Sequence, residues 1–502
     1  MSSYASTSDK WPAIVLVGVG CILAGIGAVL YPGAMFAAMA AGGALLAFRW
    51  LIPNRLQFWQ ALVAASLAGF IVLNYGFENL VAGHVAGVPL LIGETAMLIG
   101  LTLAIRRQGM SQLKPALRDP IVRCLIALLV VSALHLIVEA PRFGVYAFRD
   151  ASLYFEAVFL TAGYLWANEK NGVKTFVQFM LVVFVLNLIY SFTLPWRDTL
   201  QSLSPTSGVF QPIPIIGQYQ DGSVYLAAGA FFFAWLADYT RGWRCRVLLV
   251  VATVQVLALA VLQDRGIYVG IVVVLVLLFV LKKTSKMRRP LRVLGGSALA
   301  MFALLTVMPV FGVSIHGRVG EINGEFLRQY ALSVLSLDNS NTRLAKDDDR
   351  LDWFRQVWRG TTSEPVTFLI GQGFGMPLID FLAEDGMPVR QPHNAALGVF
   401  GRLGVAGLSL WLLFQLLLFK RFLAAVKAHK SREIDDLNLW LFIFFVLAFV
   451  ISMTQPSLEF SHYAVPLFFM TGFALRTMRT RSDLEIRNVA TGGQIVEDPI
   501  GS

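Results

Sequence analysis

Charged side chains are scarce here: Asp, Glu, Lys and Arg make up 14% of the 502 residues, while 56% are hydrophobic. A soluble domain carries about 25% charged residues, so the deficit excludes an ordinary water-facing surface. Cysteine is nearly absent as well. Cys21, Cys124 and Cys245 show neither disulfide nor metal-site spacing, which leaves them as core thiols and removes a disulfide scaffold from consideration. No internal repeat, low-complexity tract or secretory leader is visible. The first apolar run is too long for a leader and leads straight into further runs, so it reads as a retained helix.

What the chain has instead is one apolar run after another, each long enough to cross about 30 Å of hydrocarbon. The runs fall near 12–30, 33–49, 58–75, 88–105, 120–138, 151–167, 174–195, 222–239, 245–263, 266–281, 293–312, 394–419, 438–455 and 461–475. The expected fold is an all-α polytopic membrane protein with about 12–14 transmembrane helices. It divides into helices 1–11 over 1–312, a large outer loop over 313–392, helices 12–14 over 393–475, and a tail over 476–502.

The formal charge of +10 is unevenly placed. With the N-terminus inside, the inner loops receive Arg106, Arg107, Lys114 and Arg118, the run from Lys282 to Arg292, and the segment from Lys420 to Arg432. The short outer loops hold only Arg142, Arg149, Arg197 and Arg265. This is the positive-inside pattern, and it predicts cytoplasmic termini. Topology and anionic membrane lipid then account for the basic balance, without a nucleic-acid partner.

Two outer segments are long, about 196–221 and 313–392, and long loops in a minimal-loop protein are usually functional. Within the second, Asp347 to Gly360 reads as an amphipathic helix. Its aspartates favour the N-terminal end, and Leu351, Phe354, Val357 and Trp358 share a face suited to the membrane surface.

Three residues stand out as chemical candidates, all on the outer side. His393 precedes a membrane helix and follows Pro392, which puts an imidazole at the lipid–water boundary, where it can act as a base. Arg265 sits between two apolar runs with almost no loop, and a charge so placed needs an aqueous cavity or an anion. Arg350 heads the amphipathic helix, with Arg343, Arg355 and Arg359 as near neighbours. Two guanidiniums and an imidazole on one surface suit an anionic, lipid-tethered substrate, since arginine forks pair with phosphate oxygens. Asp347, Asp348 and Asp349 read as helix-capping rather than metal-binding. Gly371, Gly373 and Gly375 resemble a phosphate loop but have neither the preceding strand nor the following Lys-Ser/Thr, so they read as a tight turn. Arg402 lies inside its apolar run and needs a partner, for which Glu94 and Glu156 are candidates. His135 has no evident partner, and His462 and Glu459 read as boundary residues.

The pattern resembles the superfamily of O-antigen ligases and Wzy-type polymerases. It has three parts, in order: Asp264-Arg265-Gly266 at an outer helix junction, Arg350 and Trp353 followed by FLIGQGFG (Phe368 to Gly375), and His393-Asn394 with Gly404-Val405-Ala406-Gly407. The resemblance spans about 245–420. It departs from the family pattern at Arg402, where members often carry an acidic residue, and at Ala395-Ala396, which replace a more usual Thr-Tyr. The resemblance implies a GT-C-like, metal-independent, inverting glycosyltransferase of the bacterial inner membrane, without a cofactor and working on the periplasmic face. Its donor would be a glycan on undecaprenyl diphosphate, and its acceptor a glycan or lipid A-core. By the same resemblance, His393 would position or deprotonate the acceptor hydroxyl, and Arg265 and Arg350 would hold the diphosphate. Asn394, Arg343, Arg355, Gly371 and Gly373 are the further substrate-side candidates. The span count and the altered helix after His393 favour polymerisation of lipid-linked repeat units. Ligation of a finished chain, or transport of a lipid-linked sugar, are the alternative readings.

Overall fold

The computed structural model describes residues 56–85, 88–210, 212–217, 222–307, 348–381, 389–427, 431–455 and 459–479. The expected spans at 12–30 and 33–49, Arg343, and most of the tail lie outside the described residues. What is described is an all-α membrane protein. Its helices include α1 (Phe58–Val72), α2 (Ile92–Gln108), α3 (Pro120–Phe143), α4 (Val145–Glu156), α5 (Leu160–Asn168), α6 (Gly172–Ser191), α7 (Ser223–Leu236) and α8 (Trp243–Leu262). They continue as α9 (Arg265–Val280), α10 (Thr284–Val307), α11 (Asp348–Thr362), α12 (Pro365–Ile370), α13 (Ala395–Lys427), α14 (Arg432–Ser452) and α15 (Ser461–Thr477).

Among the described residues, five helices are long and apolar enough to cross a membrane: α3, α6, α8, α13 and α14. The segments Phe58–Val72, Ser223–Tyr239 and Arg265–Val280 are apolar but shorter. Two expected spans are built differently. The run at 151–167 is divided between α4 and α5 by a single 3-10 turn at Ala157–Phe159. The run at 293–312 begins earlier, because the basic stretch before it is helical too. Lys286 lies 2.5 Å from Asp436, and Arg289 lies 3.0 Å from Asp238, so the first turns of α10 are tied to α14 and to the end of α7.

Among the described residues, strand is confined to two small antiparallel hairpins, Val81–Val85 with Val88–Leu91 and Thr206–Ser207 with Ile213–Pro214. The loop at 196–221, expected to be irregular, therefore has local order. Ser207 joins the two loops, accepting from Val81 N at 3.1 Å and donating to Asn79 O at 2.9 Å.

Glycine lets α5 and α15 touch backbone to backbone. A Cβ on Gly163 would lie 1.8 Å from Phe469 O, and one on Gly472 would lie 1.8 Å from Leu160 O. With lipid as solvent, such close approach replaces the hydrophobic drive that packs helices in water.

Candidate functional site

Short-range contacts link the three motif segments to one another. His393 is partly exposed and holds a left-handed backbone, φ 37°. That is uncommon for a residue with a Cβ and clusters at working sites. Its ring meets Trp353 edge to face, with centroids 4.9 Å apart. Arg350 lies three residues before Trp353 on α11, hence on the same face of that helix.

Asn394 caps α13: its Oδ1 accepts from Leu397 N at 2.9 Å, and its Nδ2 donates to Met453 O at 3.1 Å. Two residues further on, Gln455 Nε2 donates to Asp264 Oδ2 at 3.1 Å. Asp264 also accepts from Ser223 Oγ at 2.5 Å and, through Oδ1, from Gly266 N at 3.1 Å. The carboxylate thereby caps α9 and anchors the junction where Arg265 begins the helix, straight after a left-handed Gln263 (φ 54°). A chain of contacts therefore runs from His393-Asn394 through the end of α14 to Asp264-Arg265.

The rest of α11 is arranged differently from the sequence expectation. Trp353 and Val357 are buried against Leu378 and Ile379, whereas Leu351 and Trp358 are each 57% exposed. Leu378, Ile379, Phe381, Val389 and Leu397 cover one side of the helix, and this splits the four apolar residues that the spacing alone had grouped. Arg355 stands on the exposed surface, paired with Asp352 at 2.8 Å.

Beneath the site lies a buried ionic knot. Asp150 on α4 is contacted by Arg402 Nη2 at 2.8 Å and by Arg390 Nη2 at 3.2 Å, and it accepts from Gly375 N at 3.0 Å. Arg402 donates to Gly373 O and Met376 O, and Arg390 donates to Gly375 O at 2.7 Å. The partner of Arg402 is thus Asp150, not Glu94 or Glu156. Glu156 instead accepts from Ser461, while Glu78 meets the fully buried His462 at 2.7 Å. His135 has a partner too, Glu139 at 3.2 Å. No periodicity marks Asp150, Glu139 or Arg390, so sequence reasoning passed over them. The one available signal was the charge of Arg402 inside an apolar run.

The glycine turn is the other half of this knot. Gly371, Gly373 and Gly375 all have left-handed φ, at 88°, 78° and 94°. The backbone of α13 is broken at Gly404 (φ 62°), which frees carbonyls of the preceding turn. Gln372 N donates to Gly401 O at 2.8 Å, and Gly373 N donates to Arg402 O at 3.0 Å. Phe374 N donates to Glu139. The N–H groups of Gly371 to Gly375 are therefore engaged by protein acceptors, and the turn works as a plug joining the outer loop to α3, α4 and α13. A Cβ on Gly373 would lie 1.6 Å from Glu139 Oε1. We expect Gly373→Ala to lower the melting temperature in detergent by several degrees, from about 1–3 kcal/mol of strain. An unchanged melting curve would refute this account of the turn.

Residues 247–412 match the family model for O-antigen ligase. The matched segment starts in α8 and ends in α13, and so contains Arg265, Arg350, the glycine turn and His393-Asn394. No curated protein matches the chain. The resemblance to the O-antigen ligase and Wzy superfamily holds over this segment and supports ligase- or polymerase-type function.

Proposed function

We propose that the protein transfers a glycan from a lipid diphosphate to an acceptor hydroxyl at the outer face of a bacterial inner membrane, and that the acceptor is another lipid-linked glycan. The observation that carries this reading is the double tether of His393-Asn394, to α11 through Trp353 and to the Asp264-Arg265 junction through the end of α14.

The chemistry then follows from charge. The acceptor oxygen attacks the anomeric carbon as the carbon–oxygen bond to the diphosphate breaks, and the lipid diphosphate departs with the electron pair. His393 holds the acceptor hydroxyl and takes its proton. Arg265 and Arg350 bind the diphosphate and stabilise the negative charge it gains on leaving. Attack opposite the leaving group inverts the anomeric configuration. A diphosphate is already a good leaving group, so fixed guanidiniums held in place before the reaction supply the neutralisation it needs.

The test is reconstitution. Purified protein in lipid discs, given undecaprenyl-diphosphate-linked repeat units and a chelator, should lengthen them into a ladder. If the repeats stay single and lipid A-core becomes glycosylated instead, the protein is a ligase. If neither product forms and chelation is what stops the reaction, the arginine account falls.

A further inference from the structure

Two oxygen acceptors over the start of the helix that follows His393 have no role in the scheme above. Gln391 lies two residues before it in the chain and is only 8% exposed, yet its Oε1 has no hydrogen-bond partner. Glu459, just before α15, reaches the same place. A Cβ built on Gly398 would lie 2.7 Å from Glu459 Oε1 and 3.9 Å from Gln391 Oε1. Gly398 is four residues after Asn394, so both oxygens lie over the first turn of the helix that Asn394 caps. Leaving an acceptor buried and unpaired costs free energy, and native proteins mostly avoid it.

The surroundings indicate what would supply the donors. Burial pushes the Glu459 carboxyl up to about 8, although Arg402 and Arg149 oppose the shift. Near neutral pH the group is therefore partly protonated and able both to accept and to donate. Arg149 lies over the Phe210 ring at 5.1 Å, and Phe210 stacks on Tyr146 at 4.7 Å, each ring about two-fifths exposed. Arg390, next to Gln391 in the chain, lies over Tyr146 at 4.6 Å. Two partly exposed rings and two guanidiniums thus stack together, one of them on the chain neighbour of Gln391. Polyhydroxylated rings with C–H edges, meaning sugars, match that surface.

We propose that Gln391 Oε1 and the Glu459 carboxyl form a hydroxyl-binding subsite that holds the acceptor sugar against His393. This rests on the glycosyl-transfer reading and adds to it the residues that choose the acceptor. Gly398 belongs to the subsite as the space that lets both oxygens converge.

The test measures sugar binding apart from catalysis. Full-length His393→Ala protein in lipid discs is titrated, by saturation-transfer NMR, with oligosaccharide released by mild acid from the host's own surface polysaccharide. Adding Gln391→Leu or Glu459→Leu should weaken binding at least about tenfold, the usual effect of losing a hydrogen bond in a buried site. Gly398→Ala should do the same while retaining both polar groups, because its methyl displaces Glu459. Affinity for undecaprenyl diphosphate, measured in parallel, should stay within twofold. Oligosaccharide binding within twofold of the parent in Gln391→Leu and Glu459→Leu overturns the subsite, as does altered stability with unaltered binding. Loss of undecaprenyl diphosphate binding in the parent protein would count against the proposed reaction instead, which keeps the two failures distinct.

Discussion

His393→Ala should cut glycan transfer by about 10²–10⁴-fold, the range over which a positioned general base contributes. Donor affinity and melting temperature should hardly change. The imidazole is partly exposed, and the ring contact shown for it is the edge of Trp353, so its removal opens no large cavity. Backbone and side-chain effects need separating, because residue 393 sits at φ 37°. His393→Gly relieves that conformation and still lacks the imidazole. If the ring does the chemistry, the glycine variant is as inactive as the alanine variant. If His393→Gly transfers glycan at the parental rate, His393 is a backbone device and the proposed mechanism fails. Arg265→Ala should also lower turnover, and unlike the histidine variants it should weaken donor binding, since it removes a fixed cation from the diphosphate.

Asp150→Asn should be the most damaging single change to stability, costing about 3–5 kcal/mol, as removal of one partner from a buried ion pair does. Asp150 faces two guanidiniums, Arg402 at 2.8 Å and Arg390 at 3.2 Å. Neutralising it leaves both positive charges buried together and loosens the glycine turn, whose Gly375 N–H it accepts. Arg402→Met should cost less, because Arg390 still pairs with Asp150. The combined Asp150→Asn and Arg402→Met protein should recover part of the loss, since only one guanidinium is then uncompensated. Thermal melting in detergent checks the order. A double variant less stable than Asp150→Asn alone would show that the knot is not governed by charge balance.

Arg402 illustrates how a sequence reading can be right about a need and wrong about its solution. An arginine inside an apolar run must have a counter-charge, and Glu94 and Glu156 are acidic residues at the matching ends of neighbouring spans. The choice of Asp150 depends on how α4 and α13 pack, with more than 250 residues between the two positions. The amphipathic reading of α11 divides in the same way. Helical spacing groups Leu351, Phe354, Val357 and Trp358, but only packing against Leu378 and Ile379 decides that Trp353 and Val357 face inward.

By itself the sequence determined the membrane class, most helix positions, the uneven placement of positive charge and the three motifs around Arg265, Arg350 and His393. Each is a local property: about twenty apolar residues must be helical in lipid, and a charge beside them limits the span. Only the tertiary structure decided that His393-Asn394 is tied to both arginine-bearing elements, that Arg390 and Arg402 share Asp150, and that Gln391 and Glu459 meet over Gly398. Those pairings join residues from different helices, and they arise because a buried polar group in an apolar medium must find its partner wherever packing brings one within reach.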